Sequence, residues 1–327
     1  MRQVSVVIPV LNEADALNEL YAQLSGMAET HRYAIEMIFV DDGSTDESWE
    51  VIKQLADQDH RVKGRRFRRN FGKAAAIRAG VAAATSEWIA TMDADLQDDP
   101  NEIPVLAKKL EAGFDLVNGW KQNRQDAWTR RVSSRLFNVA VNWLTGVTLH
   151  DHNCGLKVAR REVFDEIVLY GDRHRFIPVL AAARGFRVGE APVGHRARPF
   201  GKSKYGWSRL PTGILDILTV AFLTSFNHRP QHLIGTIGLS SFLVGLFGMM
   251  AMVVYWIVRM VFFAADPHWV PLHQRPVVIY SVAIMLLGAQ LLCLGFLAEL
   301  IAQRTGHTED PFSIQEEIGP TKSNERS

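Results

Sequence analysis

Cysteine is scarce: only Cys154 and Cys293 occur in 327 residues, and Cys293 falls inside an apolar run. Two such residues give no disulfide framework and suit a reducing compartment. An excess of one charge is also missing. The 36 Lys+Arg offset 35 Asp+Glu, leaving a formal net charge of +1, so overall charge gives no reason to expect nucleic acid as a partner. Neither Gly-x-Gly-x-x-Gly nor a loop ending in Gly-Lys-Ser/Thr is present, which disfavours a dinucleotide or P-loop nucleotide fold. The opening MRQVSVVIPV lacks the longer apolar core and cleavage site of a signal peptide and reads as a first strand.

What is there alternates. VSVVIPV, EMIFVDD, VKGRRF, EWIATMD and DLVNGW read as strands, short and rich in β-branched residues. Between them ADALNELYAQLSGMA, SWEVIKQLADQ, GKAAAIRAGVAAAT and IPVLAKKLEAG carry helical periodicity. This order implies an α/β domain with a mostly parallel sheet joined by helical crossovers. Ligands of such sheets lie at the carboxyl ends of the strands, where three polar loops are found: PVLNE, DDGST and DADLQDD.

The third loop, within TMDADLQDDP at residues 91–100, gathers four carboxylates in seven positions. Carboxylates so close repel one another and resist desolvation unless a cation, a positive partner or open water relieves them. Asp93 and Asp95, with Gln97 two further on, offer hard oxygen ligands from one turn, suited to Mg2+ or Mn2+ shared with a diphosphate. Asp98 and Asp99, before Pro100, read as caps of the next helix. In DDGST, Asp41 and Asp42 either accept hydrogen bonds from a base or ribose, or the loop caps the helix starting near Glu47 through Ser44, Thr45 or Asp46. His174 reads as structural. Trp120 either stacks on a sugar or base or is a packed aromatic at a strand end.

Two long apolar runs follow. Residues 233–263 are interrupted only by Arg259, and residues 277–302 only by Gln290 and Glu299; either exceeds the roughly 20 residues that cross a bilayer. Arg209 and Arg229 precede the first run and Arg304 follows the second, against Arg275 in the connector. The positive-inside tendency then puts both termini in the cytoplasm. Before the first run, Trp207, Leu210, Ile214, Leu218 and Phe222 recur at helical spacing, as expected of an amphipathic helix lying in the membrane interface. The expected organisation is a cytoplasmic catalytic domain at 1–205, an interfacial helix at 206–230, a two-helix transmembrane domain at 231–304 and a polar, extended cytoplasmic tail at 305–327.

The motifs VVIPVLNEAD, VDDGSTDES, RRNFGKAAAIRAG, TMDADLQDDP, DHNCGLKVARREV and GKSKYGWSRL, followed by paired spans, resemble the family 2 glycosyltransferases. The similar branch is that of dolichol-phosphate mannose synthases and bacterial polyprenyl-phosphate glycosyltransferases. The resemblance implies a GT-A (Rossmann-like) fold, a UDP- or GDP-sugar donor, a divalent metal, a polyprenyl-phosphate acceptor, inversion at the anomeric carbon and a homo-oligomer such as a tetramer. Carried onto this sequence, it implies that Pro9, Asn12, Glu13, Asp41 and Asp42 hold the nucleoside, with Arg69 and Lys73 near its ribose or phosphates. Asp93 would approach ribose and metal, while Asp95 and Gln97 ligate the ion. The Gln-x-x-Arg-Trp signature of processive synthases is absent, so transfer of one sugar is expected.

On the acceptor side, HRARPFGKSKYGW clusters Arg196, Arg198, Lys202 and Lys204 with Ser203 and Tyr205, groups that neutralise and hydrogen-bond a phosphate monoester or, alternatively, anionic headgroups. Arg124, Arg130 and Arg131 either join them or form a solvated basic loop. Asp151 is expected to orient the acceptor or balance charge at the sugar, with turn capping as its alternative. Because a lipid phosphate is already anionic at neutral pH, a strong general base is not obligatory. The competing functions are transfer to a lipid hydroxyl and a catalytically silent membrane scaffold.

Overall fold

The computed structural model describes residues 2–122, 128–169, 171, 173–196, 230–262, 275–304 and 314–318. The chain divides into two compact units, residues 1–225 with 310–327, and residues 226–309.

In the first unit, strands β1 (Arg2–Val10), β2 (Tyr33–Asp41), β3 (Val62–Phe67) and β4 (Trp88–Thr91) alternate with helices α1 (Ala14–His31), α2 (Ser48–Gln58) and α3 (Lys73–Ala83). Then follow α4 (Ile103–Glu111), β5 (Leu116–Lys121), α5 (Trp128–Thr145), β6 (Lys157–Arg160), α6 (Arg161–Glu166), α7 (Ile177–Ala183) and β7 (Val188–Val193). The last strand, β8 (Ile314–Ile318), comes from the carboxyl-terminal segment. The sheet order is β7-β5-β6-β4-β1-β2-β3-β8. β1 pairs parallel with β2 and β4, β2 with β3, and β5 with β7. β6 runs antiparallel between β4 and β5, and β8 antiparallel to β3.

The period of two along each strand sorts side chains to two faces. Val4, Val6, Ile8 and Val10 of β1, with Met37 and Phe39 of β2, pack against Leu17, Leu20 and Leu24 of α1 and Ile52 of α2. Val7, Ile38 and Val40 face α3, α6 and α7 through Ala76, Ile77, Val163 and Ile177. Each of the fully buried leucines contributes about 1.5–3 kcal/mol relative to exposure. The alanine-rich α3 lies close on the sheet: a Cβ at Gly80 would fall 2.3 Å from Val7 Cγ1. The four helices read between the first five strands are present. Missing from the sequence reading are β6, β7 and β8, and the tail that was expected to be merely extended rejoins the sheet at its edge.

The second unit consists of α8 (Pro230–Phe262) and α9 (Pro276–Arg304). Ile234–Phe262 and Pro276–Leu297 have mean hydropathies of 2.2 and 2.4 and are long and apolar enough to cross a membrane. Phe247, Val261 and Tyr280 stand exposed at 75%, 67% and 67%, as suits side chains solvated by lipid. The helices run antiparallel: Gly238 lies against Leu292, and Gly245 against Ser281 and Met285. A Cβ at Gly288 would sit 2.4 Å from Phe242 N, and one at Gly245 2.6 Å from Ser281 O. Absent side chains let the two backbones touch, the usual means of association where lipid removes the hydrophobic drive. The proposed interfacial helix lies outside the described residues up to Arg229.

Candidate active site

The sheet order places a switch point at β1: the chain moves outward through β2 and β3, then returns past β1 to β4. Open α/β sheets bind their ligands at such a point, outside the carboxyl ends of the strands. Because β6 is antiparallel, its amino end joins the same edge, with Lys157 opposite Thr91. The edge therefore collects the loops after β1, β2, β3, β4, β5 and β7 and the loop before β6. That explains how motifs scattered from Pro9 to His195 come to share one side.

The first two loops are stitched to each other. Asn12, at φ 51°, donates its backbone N–H to Ser44 Oγ at 2.9 Å, and its Oδ1 accepts from Thr45 N at 2.8 Å. Glu13 N donates to Ser48 Oγ and Ala14 N to Asp46 Oδ2, while Pro9 is half-buried in β1. Asp41 is fully buried: Oδ1 accepts from Ser44 N at 2.8 Å, and Oδ2 faces Arg66 Nε at 3.4 Å. Asp42 accepts from Phe71 N at 2.7 Å and Gly72 N at 3.0 Å, tying DDGS to RRNFGK. Burial, with Asp41 adjacent, pushes the Asp42 carboxyl up to about 6 even though those two N–H groups oppose the shift. Gly43 at φ 75° allows the turn, and a Cβ there would lie 2.6 Å from the Arg69 carbonyl carbon. Asp46 accepts from Ser48 N just before α2, while Glu47, the residue at the cap position, makes no side-chain capping bond. Arg69 is exposed, its guanidinium 4.8 Å from the Phe71 ring centroid.

After β4 the backbone alternates. Ala94, Leu96 and Asp98 are buried, whereas Asp93, Asp95 and Gln97 between them are half-buried. Leu96 takes φ 60°, and Asp95 Oδ1 accepts from Gln97 N at 3.2 Å. Lys73, the first residue of α3, is ion-paired with Asp93. Burial would raise the Asp93 carboxyl, but Lys73, with smaller help from Lys121, holds it at about 2. Gly155 lies against this carboxylate: a Cβ there would meet Asp93 Oδ2 at 2.6 Å. Thr91 Oγ1 donates to Gly155 O at 3.0 Å and fixes that approach.

Behind Asp93 lies a buried layer of charge. Lys157 donates to the Cys154 carbonyl, and burial pulls its pKa below the usual lysine value. His174 is driven well below its usual value by burial and then by Lys73, which keeps the ring neutral. Asp98 does not cap the next helix. It is 1% exposed and its Oδ1 lies 2.8 Å from Lys121 Nζ, because its place in the alternation turns it inward, and β5 ends with a lysine beside it. Burial works against the Lys121 charge, but Asp98 outweighs this and raises its pKa. Asp99 does cap, accepting from Asn101 N at 3.0 Å.

Asp151 is 1% exposed, and its Oδ1 accepts from Asn153 N at 3.0 Å, while Asn118 Nδ2 donates to its carbonyl. The turn-capping contact is thus present, deep under the cleft and near Lys157 and His152. Trp120 stacks on His150 with centroids 4.1 Å apart and planes at 17°, and His150 pairs with Glu190. Arg124, Arg198, Lys202, Ser203, Lys204 and Tyr205 lie outside the described residues; of Arg131 only the backbone, in α5, is described.

The reading of the sequence did not place Lys121, Asn118, Gly155 or Lys157 at this edge. Lys121 follows DLVNGW directly, so the strand-end rule could have found it. Lys157 needed the antiparallel β6, for which no periodicity spoke.

Among the described residues no three His, Cys, Asp or Glu side chains converge as a closed metal cage. Two half-buried carboxylates and an amide within five residues, a hard-oxygen donor set, fit instead an open site for Mg2+ or Mn2+ that keeps positions for diphosphate and water.

The family model for glycosyl transferase family 2 matches residues 5–168. The chain belongs to glycosyl transferase family 2. It is 35% identical over 315 residues to a dodecaprenyl-phosphate galacturonate synthase of Rhizobium johnstonii, covering 94% of this chain and 90% of that one. Identity is also 35%, over 304 residues, to an undecaprenyl-phosphate 4-deoxy-4-formamido-L-arabinose transferase of an Enterobacter strain, covering 93% and 89%. Among solved structures, glucosyl-3-phosphoglycerate synthase from Mycobacterium tuberculosis with Mn2+ and UDP-glucose superposes at TM-score 0.53 and 19% identity, over 68% of this chain and 79% of that one. Mannosyl-3-phosphoglycerate synthase from Rubrobacter xylanophilus gives 0.53 and 19%, over 67% and 73%. These establish a GT-A fold followed by two apolar helices.

Proposed function

We propose that this glycosyltransferase moves a single sugar from a UDP- or GDP-sugar to the phosphate of a polyprenyl lipid at the cytoplasmic membrane face, with inversion. The observation that carries this reading is the partly exposed Asp93, Asp95 and Gln97, with Lys73 paired to Asp93, after β4 at the switch point of a chain that also has two apolar helices. The names of the 35% identical relatives support the lipid-phosphate acceptor.

Asp93, Asp95 and Gln97 would hold Mg2+ or Mn2+, which when bound supplies Lewis-acid stabilisation of the departing diphosphate. Lys73 keeps Asp93 ionised and adds positive charge at the amino end of α3, where anions are favoured. Pro9, Asn12, Glu13, Asp41, Asp42 and Arg69 shape the nucleoside side, with Asp41 and Asp42 acting through the loops they fasten. Lys157 and Lys121 raise the local positive potential, and Asp151 balances it. Arg198, Lys202, Ser203, Lys204 and Tyr205, with Arg124 and Arg131, are assigned to the acceptor phosphate. An acceptor phosphate oxygen attacks the anomeric carbon from the side opposite the diphosphate; the new C–O bond forms as the bond to diphosphate breaks. The phosphate is already an anion, so alignment is the main task of the protein.

The test incubates the purified full chain with undecaprenyl phosphate, Mg2+ or Mn2+ and a panel of labelled nucleotide sugars. One donor should yield a lipid-linked monosaccharide, and Asp95→Asn should lower turnover by about 10²–10³, the size of loss seen when one group stabilising transition-state charge is removed. A wild-type protein that makes no glycolipid from any donor, or an Asp95→Asn variant at full rate, would falsify the reading.

A further inference from the structure

The second unit carries a polar side chain that the catalytic reading leaves unused. α9 presents two opposite faces. Ser281, Gly288 and Gly295, seven residues apart, are buried against α8: a Cβ at Gly245 would meet Ser281 O, one at Gly288 would meet Phe242 N, and one at Gly295 would lie 3.3 Å from Gly235 N. Gln290 follows Gly288 by two residues, a turn of about 200°, and is exposed. It stands in a row of exposed residues, Ile279, Ala283, Leu286, Gln290, Cys293 and Leu297, separated by four, three, four, three and four positions. Four of these six, with Ala289 and Leu294 beside them, line one apolar groove along the helix.

Alternating steps of four and three are the period at which two helices cross at a small left-handed angle and interlock their side chains. An all-apolar row of this kind could equally be covered by lipid. Gln290 decides between the two, because its amide brings two N–H donors and an oxygen with two lone pairs, and acyl chains satisfy none of them. It lies seven residues, about 10 Å of helix, inside the end of the apolar span at Leu297, and among the described residues nothing hydrogen-bonds it. We infer that this face of α9 is a contact between two copies of the chain, with the two Gln290 amides hydrogen-bonded to each other across it. A second copy fits because every copy crosses the membrane in the same sense and carries Gln290 at the same depth. A two-fold axis along the membrane normal then brings amide to amide, each donating to the other's oxygen. Ala289 and Cys293, both small, let the helices approach closely enough for that bond. A polar residue at one seam position also fixes the register of the pair. Such pairing needs no assumption about the sugar donor or the acceptor.

The experiment oxidises membranes containing the full chain with copper phenanthroline and reads the protein on a non-reducing gel. Cys293 is exposed and Cys154 buried, so the native chain should give a disulfide-linked species of twice the monomer mass, lost in Cys293→Ser. On that background Ile279→Cys and Leu286→Cys should restore the linked species. Leu287→Cys and Phe296→Cys, exposed on other sides of α9, should give less than about a tenth as much, since a disulfide forms only where Cα atoms come within about 7 Å. In liposomes, Förster transfer between differently labelled copies should show Gln290→Leu associating about threefold to tenfold more weakly, as for loss of one interhelical hydrogen bond in a membrane. Leucine is at home in lipid, so that variant still inserts, and Gln290→Asn, which keeps the amide, should recover most of the loss. Equal linkage at all four positions, linkage to a protein of another mass, or no linkage overturns the inference, the last leaving lipid as the cover of this face. Unchanged association in Gln290→Leu overturns it as well.

Discussion

Asp42 shows how a site residue can act through protein contacts and still leave a measurable trace. Its carboxyl is buried beside Asp41 and its pKa is raised to about 6 from 3.8. Between those values the folded chain keeps a proton that the unfolded chain has lost, so unfolding releases a proton. Stability therefore falls as pH rises through this window and levels off above it, by on the order of 3 kcal/mol in full. Asp42→Asn lacks this term. In thermal unfolding scans of the detergent-solubilised protein from pH 4 to 8, wild-type Tm should drop relative to Asp42→Asn up to about pH 6 and run parallel beyond. Curves parallel throughout would mean that the proton is not held. At this scale the sequence was informative wherever chemistry follows a strand: Asp93, Asp95, Gln97 and Lys73 do share an edge. It was uninformative about direction. Nothing in DDGST says that Asp41 turns inward to Ser44 and Arg66, and nothing in DLQDD marks Asp98 as the buried member until the alternation after β4 is known.

Among the elements, α2 spans the stretch read as helical, Ser48–Gln58, because its amphipathic period and the polar loop before it agree. β6 and β7 escaped notice for a physical reason. Four residues, KVAR, give a period-two pattern no room to declare itself, and VGEAPV contains a glycine and a proline that argue against a strand. β8 was hidden differently, since IQEEI pairs with a partner some 250 residues earlier, by registers such as Arg65↔Glu317 and Arg66↔Glu316. Opposite charges directly across a ladder are worth roughly 0.2–1 kcal/mol each. Without β8, the outer edge of β3 is left open for intermolecular pairing. Ending the chain after Arg304 should lower Tm by about 4–8 °C, as for a loss of roughly 2 kcal/mol in a domain of this size. It should also raise the aggregated fraction on warming, with turnover at 25 °C changed less than about twofold. Differential scanning fluorimetry with light scattering measures both, and an unchanged melting curve would show that β8 adds nothing to the sheet.

For the whole molecule, the edge strand constrains topology more firmly than the basic flanks do. Arg209, Arg229 and Arg304 against Arg275 is a narrow margin for the positive-inside tendency. β8 belongs to the same sheet as β1, so a chain whose two apolar helices both cross the bilayer is expected to return to the side on which it began. On the proposed topology the connector between the spans is expected on the opposite side of the membrane from both termini. Native thiols leave this open to direct labelling, because Cys154 is buried with its pKa pushed up to about 12 and Cys293 lies within the apolar stretch of α9. A membrane-impermeant maleimide should label His268→Cys in intact cells and Ser327→Cys only after the membrane is opened. Labelling of Ser327→Cys from outside would require β8 to leave the sheet or one helix to stay out of the bilayer, and either result would place the catalytic edge and the tail on opposite sides.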